Sequence, residues 1–400
     1  MKWRVLFCLA LATIVASMWM TVSGQPGRGF TGSFQAPAID YQQAPLADAV
    51  SQLARRVDAG DVHLSYDEHS GYLSSVLREL GVSVDSQLLV FSQTSLLASQ
   101  ISPKNPRAVY FNDRVAVAWV RGSQTIEMAS QDPRQGIIFQ RLERTASGAP
   151  SFARSTECLR CHVSWETFAV PGLMVLSTGP EDAAGYATGG AVDDRHPVSM
   201  RWGGWFVTGR SVPAGSLGTR ITAPPWAAAT FDATDYLSPH SDVVALMTLE
   251  HQARAANLLT YLGWETRIGA SRARVDEIVR DLVDDFLFVD AAPLPGRIVG
   301  SSTFAERFAS LGPADRRGRS LRQFDLTTRL MRYPCSYMIY TPAFDALPDV
   351  ARYAVYDRIA EVLSGRNPSP VYTTLSGADR QAVLEILRDT KPEFASRASF

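Results

Sequence analysis

Apolar positions along the chain repeat with two different periods, and the change of period divides it. Leu46, Val50, Leu53 and Val57 recur at helical spacing and predict a helix over 44–57; a second, short helix over 74–80 stops before Gly81. From 108 the period becomes β-like. The runs 108–111 and 115–120, split by Asn112-Asp113, are followed by Ile126 with Met128 and then by 137–142. These read as an antiparallel β-meander. Beyond 238 the helical period returns. Val244, Met247, His251, Ala255, Leu258 and Leu262 share one stripe of a helix over 241–262 with Ser241 as N-cap. Val275, Ile278, Val279, Leu282, Val283 and Phe286 mark another over 275–288. A third over 351–364 ends at Gly365, and Ser376 with Asp379 opens a last helix that stops before Pro392.

The pattern predicts an α+β fold in which a region over 25–235 with a small antiparallel meander precedes a mainly helical region over 236–400. Between meander and helices lie an apolar stretch over 170–176 containing Pro171-Gly172, a Gly/Ala/Asp-rich loop over 179–194, and the aromatic run Trp202-Gly203-Gly204-Trp205-Phe206-Val207.

The first residues add a location. Lys2 and Arg4 precede an apolar run over 5–16, and Val22-Ser23-Gly24 supplies small residues for a peptidase, so 1–24 reads as a signal peptide cleaved before Gln25. The alternative is an uncleaved N-terminal membrane anchor. Either way the body is expected outside the cytoplasm, in a bacterial periplasm or secreted. Without Lys2 and Arg4 the mature chain has 37 basic and 40 acidic residues and no basic run, which predicts neither a nucleic-acid partner nor further membrane binding.

The chemistry centres on Cys158-Leu159-Arg160-Cys161-His162. Two cysteines separated by two residues, with a histidine directly after the second, let both thiols add to the vinyl groups of one haem while the imidazole reaches its iron. Zinc would need further thiol or imidazole ligands, and no second paired motif occurs. A redox-active Cys pair has no use for the adjacent histidine, and a disulfide at this spacing leaves it unexplained. Of the other cysteines, Cys8 leaves with the signal and Cys335 is expected to be a buried free thiol.

The sixth iron position decides between electron transfer and ligand activation. His196, the first histidine after His162 and stiffened by Pro197, is the favoured distal ligand. Met200, His251 and Met174 are the alternatives. Core packing competes as an explanation for Met174 and His251, and loop exposure for His196.

The pentapeptide resembles that of the c-type cytochromes. More widely the chain is similar to a group of large secreted bacterial monohaem proteins with a cytochrome c motif and no assigned activity. The segments carrying that likeness are Tyr110-Phe111-Asn112-Asp113, Arg201-Trp202-Gly203-Gly204-Trp205, Leu249-Glu250-His251-Gln252 and Arg332-Tyr333-Pro334-Cys335-Ser336-Tyr337. The resemblance implies one covalent haem c on Cys158 and Cys161 with His162 as proximal ligand. No helix is expected just before the motif, so the small cytochrome c fold is not expected either. Two functions follow: a monohaem electron-transfer protein served by a redox partner protein, or a haem-dependent oxidoreductase of the peroxidase or oxidase type with an open distal site.

Overall fold

A computed structural model describes residues 29–145, 148–179, 188–221 and 235–397; the signal segment over 1–24, Cys8 and part of the loop over 179–194 lie outside them. The fold is α+β. Its strands are β1 Leu88–Val90, β2 Arg107–Phe111, β3 Val115–Val120, β4 Thr125–Asp132, β5 Gly136–Arg144, β6 Pro150–Arg154, β7 Val175–Thr178, β8 Gly189–Val192, β9 Trp205–Thr208 and β10 Thr219–Ile221. The expected meander is β2 to β5. It forms the middle of an eight-stranded sheet ordered β10-β9-β1-β2-β3-β4-β5-β6, antiparallel except between β9 and β10. β7 and β8 make a separate hairpin. The sheet exceeds the meander because β1, β9 and β10 are three or four residues long, too short to display alternation.

Helices α1 Ala49–Asp58 and α2 Leu73–Glu79 lie near the expected positions. Asp48 caps α1 by accepting from the backbone N–H groups of Val50 and Ser51, so the helix starts later than the periodicity alone indicates. Val50, Leu53, Leu73, Val76 and Leu77 pack with Val115, Val117, Trp119, Ile126 and Met128, sealing one face of the sheet.

A single helical turn, α3 Leu159–His162, follows β6, and beyond β10 the described chain is mainly helical: α4 Val243–Arg267, α5 Arg272–Phe286, α6 Phe304–Ala309, α7 Pro342–Asp345, α8 Asp349–Leu363, α9 Gly377–Thr390 and α10 Pro392–Arg397. Asp242, not Ser241, caps α4: its Oδ1 accepts from Val244 and Ala245, and its Oδ2 from Ser301 and Ser302. Ser241 instead donates to the carbonyl of Phe206 and accepts from Leu89, tying β1 and β9 to the helix start.

The apolar stripe of α4 is only part of its buried surface. Nearly the whole helix is enclosed, including Thr248, Glu250, His251, Gln252, Asn257 and Thr260. One core runs from Leu88, Val90, Val109 and Phe111 of the sheet through α4 into α5, α8 and α9. A central helix buried on every side must satisfy its polar groups internally, and this requirement builds the site region. Among the described residues, no helix is long and apolar enough to cross a membrane.

Candidate functional site: the Cys158–His162 turn and the polar network of helix α4

β6 ends at Arg154, and Ser155 donates its N–H to the carbonyl of Phe139 on β5, directing the chain off the sheet edge. The following turn carries Cys158, Cys161 and His162. Cys158 lies three residues before Cys161 and four before His162, the spacings that place a residue next to Cys158 on a helical turn. All three described cysteines are free; Cys158 is half-buried and Cys161 exposed. Burial raises the Cys158 thiol pKa, against a 3.4 Å bond to Ser155 Oγ that lowers it.

The imidazole is oriented by a loop that doubles back on it. His162 Nδ1 lies 2.8 Å from the carbonyl of Gly172, and the Gly172 N–H donates to the carbonyl of His162 at 3.0 Å. Because the Gly172 oxygen can only accept, Nδ1 carries the proton and Nε2 keeps its lone pair, the tautomer a metal requires. Burial lowers the His162 pKa despite the Gly172 bond, and the charge of Arg107 acts in the same direction, so the ring is held neutral. It packs on Phe139 with ring centroids 4.6 Å apart.

The loop is pinned in turn by α4. Asn257 Oδ1 accepts from Leu173 N at 2.8 Å, and its Nδ2 donates to Leu173 O at 2.7 Å. A Cβ on Gly172 would stand 2.4 Å from Asn257 Oδ1 and 2.8 Å from Thr167 Cβ, so only glycine fits. Asn257 escaped the sequence reading; the one available signal was an amide in the middle of an apolar helix.

The chemistry of these donors fits a covalent haem: two free thiols and a neutral, oriented imidazole with an available Nε2. A zinc site fits less well. Among the described residues, the grouping of three or more prospective ligand side chains is Asp194, His251 and Asp285, which includes none of the motif.

Met174, His196 and Met200 line one cavity of about 350 Å³, together with Trp165, Phe168 and Phe288. Cys158, Cys161 and His162 are not among its lining residues. The cavity borders Leu173 and Asn257, the two residues that hold the Gly172 loop on α4. Both hydrogen bonds of the His196 ring use Nδ1, with Asp193. His251 stands apart from this group. It is fully buried, stacked on Phe288 at 4.3 Å, with Nδ1 3.0 Å from Asp194 Oδ2 and Nε2 2.7 Å from Ser336 Oγ. Asp194, His251 and Ser336 follow the order of a hydrolytic triad. Ser336 Oγ is nevertheless sealed in the core and accepts from Met338 N, so the arrangement is a buried relay and not an accessible nucleophile.

The segments 110–113, 201–205, 249–252 and 332–337 meet around α4. Glu250 accepts from Arg201 at 3.1 Å and from the Trp202 indole at 3.0 Å. Gln252 donates to the carbonyl of Asn112 and accepts from the Tyr337 hydroxyl. Asp113 pairs with Arg322, whose guanidinium lies over the Tyr337 ring. Gly203 belongs to this framework: a Cβ there would lie 1.8 Å from Thr178 O, where β7 passes the Trp-Gly-Gly-Trp backbone. Cys335 is wholly buried and its thiol is pushed up to about 12 by burial.

No family model matches the chain, no curated protein matches it, and no solved structure matches it.

The network makes stability depend on pH. Burial raises Asp285 to about 6, against His251 and Arg254, and raises Glu250 to about 7, against Arg201. Burial pulls His251 down, but its hydrogen bond to Asp194 and the charge there outweigh this and raise it. All three bind protons more tightly folded than unfolded. Their contribution is complete below the unfolded values and lost as pH rises through the folded ones. Asp193, lowered by its bonds to His196 and Arg195 in spite of burial, acts only in more acid solution. The thermal midpoint is therefore expected to fall from about pH 5 to about pH 8, and less steeply in Asp285→Asn. A flat or rising wild-type midpoint over that range would contradict the assignment.

Proposed function

We propose that the chain is an exported c-type haem protein that carries a single haem, attached at Cys158 and Cys161 with its iron on His162, and exchanges electrons with a redox partner protein. The observation that carries this reading is the 2.8 Å contact of His162 Nδ1 with the Gly172 carbonyl, which leaves Nε2 free. Bound there, haem supplies one-electron exchange between ferric and ferrous iron. The chain holds the proximal imidazole neutral and aimed, through Gly172 and Asn257, and fixes two thiols beside it.

Exposure of the motif favours electron transfer over substrate turnover. Cys161 is exposed and Trp165 is 57% exposed, so a partner could approach closely. The cavity where an oxidoreductase would hold a substrate is lined by none of Cys158, Cys161 and His162.

Optical and resonance-Raman spectra of the holoprotein and its His196→Ala variant test this reading. Because the cavity that His196 lines includes none of Cys158, Cys161 and His162, the variant is expected to keep the wild-type spin state. Conversion from low to high spin would place His196 on the iron. A ferrous wild-type protein that binds carbon monoxide readily would favour the oxidoreductase.

A further inference from the structure

One face of strands β2 to β5 is sealed; the other is half open. Strand register puts Arg107, Val109, Ala116, Ala118, Glu127, Ala129, Phe139 and Arg141 on that second face: Val109 pairs with Ala118, Ala118 with Glu127 and Glu127 with Arg141, while Ala116 pairs with Ala129 and Ala129 with Phe139. Arg107, Ala116, Ala118, Glu127, Ala129 and Arg141 are all intermediate in exposure, whereas Val115, Val117, Trp119, Ile126 and Met128 behind them are buried. Ala116 and Ala118 pack at the margin of the core that contains α4, and with the half-exposed Ala129 they keep the centre of this face low.

Three observations connect this face to the Cys158–His162 turn. The His162 ring rests on Phe139, which belongs to it. The charge of Arg107 acts on His162, and those of Glu127 and Arg141 act on Cys158. β6, whose Ala153 pairs with Arg141, leads directly into the turn, and the His162 nitrogen not taken by Gly172 is Nε2. The arginines themselves are incompletely used. The Nε atoms of Arg107 and Arg141 are buried and make no hydrogen bond. Arg107 meets Glu127 only at 3.4 Å, and Glu127 also accepts from Ser95 Oγ at 3.3 Å. Two buried N–H donors on cations beside one shared carboxylate call for an anionic acceptor.

We infer that the half-open face of β2 to β5 is the bed of the haem, and that Arg107 and Arg141 hold its two carboxylate groups. This rests on the proposed function and adds a place and two binding residues to it. Positive charge beside the iron favours the ferrous state, so these residues also raise the reduction potential.

The test uses the full-length, haem-matured protein with Arg107→Gln, Arg141→Gln, the double variant and the two Arg→Lys variants. Covalent haem is read by haem staining after denaturation, and the midpoint potential by redox titration. Covalent haem is expected to persist throughout. The midpoint should fall in each Gln variant, fall further in the double variant and return toward wild type with Lys. Covalent haem with wild-type midpoints in all Gln variants would overturn the assignment alone; a wild-type protein without covalent haem would remove the proposed function and this inference with it.

Discussion

Glu250→Ala is expected to destabilise the protein by about 3–5 kcal/mol, the range for removing one partner of a buried ion pair. Glu250 and Arg201 have side chains 0% and 2% exposed, with Nη1 and Oε2 3.1 Å apart. Alanine leaves the guanidinium buried with only carbonyl partners, those of His196 and Asp194, and leaves the Trp202 indole N–H without its acceptor. Glu250→Gln keeps an acceptor for Trp202 and the side-chain volume, so it should cost less. Urea denaturation monitored by far-UV circular dichroism measures both. An alanine variant within about 1 kcal/mol of wild type would mean that the ion pair does not hold the two halves of this network.

Cys158→Ala combined with Cys161→Ala is expected to abolish covalent haem while the polypeptide still folds. Neither cysteine belongs to the core, and the turn is held by Ser155, Gly172 and Asn257, which remain. His162 could still coordinate iron through Nε2, so weakly bound haem would be extracted by acid-acetone. Far-UV circular dichroism of the purified variant should superpose on that of the wild type. Haem retained after extraction would show that attachment does not depend on these thiols.

Much of this was legible in the chain because it is local. The Cys-Cys-His spacing lies within five residues, and the meander and the long helices declare themselves through period. What was hidden depends on contacts between distant segments. His162 owes its tautomer to a carbonyl ten residues away, and that loop owes its position to Asn257 on α4. His251 looked like an odd residue on an apolar stripe, since a stripe does not reveal a helix buried all round. Glu250 and His251 face different neighbours, Arg201 with Trp202 for one and Asp194 with Ser336 for the other, so the adjacent pair never works as a unit. Short strands such as β9 acquire their identity from pairing with β1, which no window of a few residues contains.

The central claim is that the Cys158–His162 turn carries one covalent haem. Its most direct test is mass spectrometry of the wild-type protein, exported through a c-type haem maturation system and digested after acid-acetone extraction. One haem should remain on the peptide containing Cys158 and Cys161. A folded wild-type protein in which that peptide carries two unmodified thiols, or holds zinc, would contradict it.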